Sequence, residues 1–158
     1  MKRYFIFIIL FYSGAPFALP ELEIMRVIDG DTVIGRSNNS EIKIRLSEID
    51  APEMDQVFGL VSKECLSDLI RETNDLKFKS NGKDRYGRSL GWLVTDDKNL
   101  NYEMVKQGCA WVYDRYAIDK KIYSLQNGAR LKKIGLWRQD NPIAVSYTHL
   151  TLPTIYSV

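Results

Sequence analysis

Residues 24–53 read IMRVIDGDTVIGRSNNSEIKIRLSEIDAPE, and this stretch carries the strongest fold and site signals of the chain. The residues of 42–47 alternate between apolar and polar, which predicts a half-buried strand whose polar face carries Arg45. Carboxylates are grouped before and after this strand, in Asp29–Thr32 and in Ser47–Glu53, with no histidine or cysteine among them. Such oxygen-only groups suit a hard cation such as Ca²⁺ or Mg²⁺, and a neighbouring arginine suits a phosphate oxyanion.

A second charged segment, Asp84-Arg85-Tyr86-Gly87-Arg88, offers another binding place for an anion. Carboxylates for a cation, a carboxylate base and two arginines are together the groups needed to hydrolyse a phosphodiester. Other chemistries are excluded by composition. The only histidine is His149, near the C-terminus, which argues against Ser-His-Asp and Cys-His triads and rules out histidine-pair zinc sites. Cys65 and Cys109 have no C-x-x-C neighbour, and the chain contains no glycine-rich nucleotide-binding motif.

The order of the predicted elements indicates a small barrel with helices around it. The predicted strands are Leu22–Ile28, Thr32–Gly35, 42–47, Leu76–Lys79 and Ser89–Thr95. The first predicted helix is Phe58–Arg71. A short second helix is capped by Asn99 or Asn101 and runs through Gln107. A longer third helix is capped by Asp119, includes Ile134 and is ended by Gly135. This order predicts an α+β fold, a five-stranded OB-type β-barrel with three α-helices.

The predicted domain covers residues 21–140, and both ends of the chain differ from it in character. Lys2-Arg3, the apolar run Tyr4–Tyr12 and the small residues that follow resemble an export signal, so residues 1–18 are expected to be a signal peptide rather than a buried strand. The apolar run is too short to cross a bilayer of about 30 Å as a helix, so no stable membrane span is expected. Residues 145–154 resemble the translation of a transposase mosaic-end adapter from sequencing libraries. Residues 145–158 are therefore expected to be a non-native tail, with a genuine tail as the alternative.

Charge is distributed unevenly along the predicted domain. Glu21–Asp75 contains 6 basic and 13 acidic residues, whereas Lys77–Arg138 contains 14 basic and 6 acidic residues. This polarity fits a cation site in the first half and a surface facing a polyanion in the second, although a solvated basic face would give the same composition. Cys65 and Cys109 could form a disulfide or be two small buried apolar residues.

Seven short motifs, taken in order, resemble the staphylococcal nuclease (thermonuclease) family. They are Val-Ile-Asp-Gly-Asp-Thr (27–32), Ile-Arg-Leu (44–46), Ile-Asp-Ala-Pro-Glu (49–53), Asp-Arg-Tyr-Gly-Arg (84–88), Leu-Asn-Tyr-Glu-Met-Val (100–105), Gly-Cys-Ala-Trp (108–111) and Gly-Leu-Trp (135–137). The resemblance spans Ile24 to Trp137. It implies an OB-fold barrel that acts as a Ca²⁺-dependent endonuclease, cutting DNA and RNA with little sequence specificity.

The same resemblance implies a set of metal ligands. Asp31, Asp50 and the backbone carbonyl of Ala51 are expected to bind Ca²⁺. The founding member of the family has threonine where Ala51 stands, a difference that keeps the carbonyl but removes any hydroxyl contact. Asp29 is interpreted as a residue of the hairpin turn, with an outer-shell role at the metal as the alternative.

The resemblance also implies roles toward the substrate. Glu53 is expected to orient or deprotonate the attacking water, and Arg45 and Arg88 are expected to clamp the phosphate. Arg85 and Tyr86 are expected to contact a terminal phosphate, with Arg85 standing where the founding member has lysine.

The alternative to an enzyme is a non-catalytic nucleic-acid-binding module on the same barrel, as in relatives whose repeats have lost the acidic site. A decayed domain should lack at least one of Asp31, Arg45, Asp50, Glu53 and Arg88, and all five are present here. The interpretation is therefore a secreted or periplasmic phosphodiesterase, expected to be a monomer, whose substrates are DNA and RNA. The residues do not indicate which nucleic acid is preferred.

Overall fold

Residues 22–139 are described by the computed structural model, and they form seven strands, three α-helices and a short 3₁₀-helix. The strands are β1 (Glu23–Val27), β2 (Thr32–Ser37), β3 (Ser40–Leu46), β4 (Ile49–Asp50), β5 (Lys77–Lys83), β6 (Ser89–Val94) and β7 (Trp111–Val112). The helices are α1 (Gly59–Arg71), α2 (Leu100–Lys106) and α3 (Lys120–Leu131), and the 3₁₀-helix covers Gly135–Arg138. The predicted export signal (1–18) and the predicted non-native tail (145–158) lie outside the described residues.

Five of the strands form one sheet in the order β1-β2-β3-β6-β5. Strands β3 and β6 are parallel, and the other neighbours are antiparallel. The two edge strands approach each other where they begin, because Leu22 N donates to Leu76 O at 3.1 Å. This contact brings the edges of the sheet together in the manner of a small barrel. The predicted α+β class, with a five-stranded OB-type sheet and three α-helices, is confirmed.

Strands β4 and β7 form a separate two-stranded sheet, in which Ile49 pairs with Val112 and Asp50 with Trp111. Two-residue strands leave too few positions for an alternating pattern, so neither is predictable from periodicity. Their pairing ties Asp50 to the segment that follows α2. One side of the site is therefore built from residues distant in the sequence.

A two-residue turn at Asn38 and Asn39 joins β2 to β3. Both residues have positive φ angles, 49° and 61°, which is the type I′ conformation in which asparagine is favoured. The turn sets the register of the hairpin so that Thr32 lies opposite Arg45. Asp31, the residue before Thr32, therefore lies close to Arg45.

The core lies between the sheet and the helices. Val33, Ile44, Leu46 and Leu93 contribute from the sheet, and Leu66, Met104 and Ile122 contribute from the helices, each with less than 2% of its surface exposed. Each such burial stabilises the fold by roughly 1.5–3 kcal/mol.

Cys65 and Cys109 form a disulfide that joins α1 to the segment after α2, with their Cα atoms 6.4 Å apart. Of the two alternatives for these residues, a disulfide or two buried apolar side chains, the structure has the disulfide.

The predicted N-caps of α2 and α3 are present, whereas the predicted end of α3 is not. Asn99 caps α2 by accepting from Tyr102 N, and Asp119 caps α3 by accepting from Lys121 N. The predicted end of α3 at Gly135 is wrong, because Lys133 adopts the left-handed conformation with a φ of 50° and closes the helix earlier. Ile134 N then donates to Ala129 O and Lys133 N to Arg130 O, the hydrogen bonds of a Schellman motif. Within residues 22–139, no helix is both long and apolar enough to cross a membrane.

Candidate active site

Three short segments meet at one end of the sheet. Asp31 ends the turn between β1 and β2, Arg45 lies near the end of β3, and Asp50 is the last residue of β4. The structure brings these three predicted site residues into direct contact, because Arg45 Nε lies 3.1 Å from Asp31 Oδ1 and Arg45 Nη2 lies 3.2 Å from Asp50 Oδ1. One guanidinium therefore contacts two carboxylates.

Asp31 is the buried member of this group, with 6% of its surface exposed. Its Oδ2 accepts from Ala51 N at 2.8 Å, and its Oδ1 accepts from Thr32 Oγ1 at 3.0 Å. Burial is the largest influence on its pKa and raises it to about 7; the Arg45 guanidinium lowers the pKa, and the nearby Asp29 carboxylate raises it. Asp31 is thus a carboxylate whose charge is costly unless a cation lies beside it.

Arg45 is held by backbone as well as by carboxylates. Its Nη1 donates to Leu46 O at 2.7 Å and to Ile49 O at 2.8 Å. With the ion pairs to Asp31 and Asp50, these contacts leave the second Nη2 hydrogen without a partner among residues 22–139. The guanidinium is therefore fixed in orientation and retains a donor for an incoming anion.

The turn that carries Asp31 packs tightly on α1. Asp29 Oδ1 accepts from Asp31 N at 2.9 Å, a contact typical of an aspartate in a turn. A Cβ atom at Gly30 would lie 1.9 Å from Ser62 Oγ and 2.7 Å from Ala51 Cβ, so only glycine fits between these residues. Ser62 in turn donates to Cys109 O at 2.6 Å, which links the turn through α1 to the segment after α2.

Glu53 lies on the exposed loop that leads into α1. Its N–H donates to Gln56 Oε1 at 2.7 Å, and its carbonyl accepts from Gln56 N at 3.0 Å. The pKa of Glu53 is raised, most strongly by burial and next by the Asp29 carboxylate. The influence of Asp29, and of Arg45 against it, shows that Glu53 lies within electrostatic reach of the buried group. A raised pKa makes a carboxylate a better proton acceptor.

The segment 84–88 is organised by its first residue. Asp84 accepts from Arg88 Nε at 2.7 Å and from the backbone N–H groups of Tyr86 and Arg88 at 2.9 Å each. Desolvation raises the pKa of Asp84, but these hydrogen bonds outweigh it and leave the pKa below its usual value. The Arg85 guanidinium lies 4.7 Å from the centre of the Tyr86 ring, and that of Arg88 lies 5.8 Å from it.

Arg88 directly precedes β6, whose Ser89 is paired with Ile44 of β3. Arg45 thus lies on β3, and Arg88 lies next to the first residue of the neighbouring parallel strand. Within residues 22–139, no hydrogen bond or ion pair joins Arg88 to the group of Asp31, Arg45 and Asp50. The structure therefore places Arg45 near the end of β3 and Arg88 just before the start of the neighbouring strand β6.

Comparison with known proteins identifies the family. The model for staphylococcal nuclease homologues matches residues 43–139. An uncharacterized endonuclease of Haemophilus influenzae is 45% identical to the chain over 124 residues, which is 78% of the chain and 69% of that relative. The chain belongs to the staphylococcal nuclease family. An uncharacterized endonuclease of Escherichia coli O157:H7 is 37% identical over 147 residues (90% of the chain and 94% of that relative), and a micrococcal nuclease of Shigella flexneri is 35% identical over 130 residues (75% and 74%).

In this staphylococcal nuclease homologue, several residues that organise the site were given no role by the sequence motifs. Asp84 holds Arg88, Gln56 holds the backbone of Glu53, and Ser62 packs under Gly30. Only Asp84 leaves a sequence signal, because it lies four residues before Arg88 at the start of a glycine turn. The contacts of Ser62 cross the fold and leave none.

The oxygen atoms near Asp31 and Asp50 are the candidate metal ligands of this family member. Among residues 22–139, no three carboxylate, histidine or cysteine side chains converge as a metal-binding cluster. The ligands expected from the family resemblance are the carboxylates of Asp31 and Asp50 and the Ala51 carbonyl, and water would complete the set. Such an all-oxygen set fits Ca²⁺, which accepts carboxylate, backbone and water ligands in flexible geometry.

Proposed function

We propose that this chain is an exported, Ca²⁺-dependent endonuclease that hydrolyses the phosphodiester bonds of DNA and RNA with little sequence specificity. The observation that carries the proposal is the arrangement of Asp31 and Asp50 around the Arg45 guanidinium, within electrostatic reach of Glu53. Membership of the staphylococcal nuclease family and the endonuclease names of its relatives support this reaction class. DNA and RNA as substrates, export to the periplasm or medium, and a monomeric state belong to the proposal.

The carboxylates of Asp31 and Asp50 and the carbonyl of Ala51 would hold the cation. A bound Ca²⁺ supplies charge that polarises a phosphoryl oxygen. Both carboxylates contact the same arginine, so the site combines negative ligands with a fixed positive donor. Such preorganised charge is the largest contribution to many enzymatic rates.

The remaining residues act on water and phosphate. Glu53 is exposed on its loop and its pKa is raised, so it can orient a water molecule and accept its proton. Arg45 presents its second Nη2 hydrogen to a phosphate oxygen, and Arg88 binds the same phosphate from the neighbouring strand. Arg85 and Tyr86, exposed on the turn before β6, contact a terminal phosphate.

Plasmid cleavage by the purified protein tests the proposal. We expect nicking and linearisation with Ca²⁺ and none with EDTA. Glu53→Gln should abolish cleavage at unchanged circular dichroism, whereas Glu64→Gln, an exposed glutamate of α1, should cleave like the wild type. A folded wild-type protein that binds DNA without cutting it would contradict the proposal and indicate a non-catalytic binding module.

A metal-binding measurement complements the cleavage assay. We expect Ca²⁺ to raise the melting temperature of the wild type, because a ligand that binds only the folded state stabilises it by about 2.7 kcal/mol at 100 times its dissociation constant. Asp50→Asn should remove this increase. A wild-type melting temperature that is independent of Ca²⁺ would contradict the assigned ligands.

A further inference from the structure

Glu48 is a buried carboxylate in the turn between β3 and β4, with 3% of its surface exposed. Its Oε2 accepts from Trp92 Nε1 at 2.8 Å and lies 3.3 Å from Tyr102 OH, whose single proton is shared with Asp119 Oδ2 at 3.0 Å. Its Oε1 accepts from the backbone N–H groups of Ile118 at 2.8 Å and Asp119 at 3.2 Å. Donors from β6, from α2 and from the segment before α3 thus converge on one group that can only accept.

The backbone of the same turn is held at three further points. Ser47 N donates to Gly91 O at 2.7 Å, and Asn101 Nδ2 donates to Ser47 O at 2.8 Å. Tyr113 N donates to Glu48 O at 2.8 Å. Glu48 has a φ of 67°, a left-handed conformation that a residue with a Cβ rarely adopts. The surrounding contacts therefore maintain a turn that the local sequence disfavours.

This turn holds the backbone carbonyls that bind Arg45, the proposed phosphate clamp. Arg45 Nη1 donates to Leu46 O and to Ile49 O, the carbonyls on either side of Ser47-Glu48. A rotation of the turn would move both acceptors, and the guanidinium would follow them. The hydrogen bonds from Trp92, Ile118 and Asp119 to the Glu48 side chain resist such a rotation.

We propose that Glu48 is a positioning residue of the active site, which fixes the Arg45 guanidinium through the β3–β4 turn. This inference rests on the proposed function and deepens it, because it assigns the orientation of the clamp to a residue that does not touch the phosphate. Glutamine at this position has nearly the same shape as glutamate. It replaces one acceptor oxygen by an NH₂ group that opposes two of the donors.

Kinetics of Glu48→Gln test the inference. We expect kcat on a DNA substrate to fall by about 10- to 100-fold with KM changed by less than about twofold, because a small displacement of a transition-state donor lowers kcat and kcat/KM together. In an Arg45→Lys background, where the planar clamp is already lost, Glu48→Gln should lower kcat by less than about twofold. Glu64→Gln serves as the control for removal of a surface carboxylate. Equal losses in both backgrounds would overturn the inference.

A second measurement reports on Arg45 without catalysis. In a ¹H–¹⁵N spectrum, we expect the Arg45 Nε–H resonance of Glu48→Gln to shift and to exchange faster with solvent, while that of Arg36 stays unchanged. If wild-type protein does not cut DNA but this resonance responds, the proposed function fails and the positioning role stands. An unchanged Arg45 resonance in Glu48→Gln would overturn the positioning role.

Trp92→Phe provides a milder variant if Glu48→Gln does not fold. It removes one donor to the Glu48 carboxylate and leaves the turn residues in place. We expect a fall in kcat of about 2- to 10-fold with the same response of the Arg45 resonance. Wild-type kcat together with an unperturbed resonance would overturn the inference.

Discussion

Replacing Gly30 by alanine tests how the turn that carries Asp31 is held in place. The new Cβ would lie 1.9 Å from Ser62 Oγ, 2.9 Å from Ser62 Cβ and 2.7 Å from Ala51 Cβ. Carbon atoms in contact are normally about 3.5–4.0 Å apart, so the turn and α1 must separate. Either the turn moves together with Asp31, or Ser62 rotates and loses its hydrogen bond to Cys109 O.

The structure sets the expected magnitude. Overpacking of a well-packed site costs about 1–3 kcal/mol, and loss of a buried hydrogen bond costs about 0.5–1.5 kcal/mol. We therefore expect Gly30→Ala to lower the free energy of unfolding by about 2–4 kcal/mol. A displacement of about 1 Å in a catalytic group can reduce the rate about 100-fold, so DNA cleavage should fall by a similar factor.

Urea unfolding followed by tryptophan fluorescence measures the first effect, and plasmid cleavage measures the second. Ser62→Gly removes two of the three atoms that meet the new Cβ, so the double variant should recover about 1 kcal/mol or more relative to the sum of the single changes. Gly128→Ala in α3 is the matched control, because its added Cβ meets no atom within 4 Å. The control should be neutral or more stable by about 0.5–1 kcal/mol. Wild-type stability and activity in Gly30→Ala would refute the packing argument.

Three further changes have distinct expected outcomes. Arg45→Ala leaves the buried Asp31 without its guanidinium, so we expect a loss of about 3–5 kcal/mol in urea unfolding and at least about a 100-fold loss of kcat; unchanged stability would refute the structural role of Arg45. Arg88→Ala should lose a comparable factor in kcat but only about 0–1 kcal/mol, because its ion pair with Asp84 lies near the surface. Cys65→Ser opens a disulfide across a separation of 44 residues. In the chain-entropy model, it should lower the free energy of unfolding by about 4 kcal/mol relative to the oxidised wild type. The wild type under reducing conditions is the control.

The central strands and first helix are well predicted because their signals are local. The alternation at 42–47 and the spacing of apolar residues in 58–71 each extend over several positions, and the structure has β3 and α1 there. The end of α3 is predicted wrongly because glycine is the usual left-handed residue, whereas Lys133 takes that conformation here. The cost of this conformation at lysine is small enough for the closing hydrogen bonds to outweigh it.

In the candidate site too, the features with a local sequence signal were predicted and the others were not. The motif around Asp50 and the strand position of Arg45 can be predicted from the sequence, and the proximity of Asp31 to Arg45 follows from the β2–β3 hairpin. The ion pair of Arg45 with both carboxylates is not readable, since it depends on how the β3–β4 turn folds back on the guanidinium. The role of Asp84 as the partner of Arg88 is only hinted at by their spacing.

The class of fold, the family resemblance and the chemical groups of the site can be predicted from the sequence, because periodicity, turn residues and motifs are properties of neighbouring positions. How those groups are held depends on tertiary contacts. Ser62 reaches Gly30 across the fold, and Glu48 accepts hydrogen bonds from residues as far along the chain as Ile118 and Asp119. Contacts between positions so far apart leave no local pattern, since they are selected by the packing of the whole core and not by the propensity of any one segment.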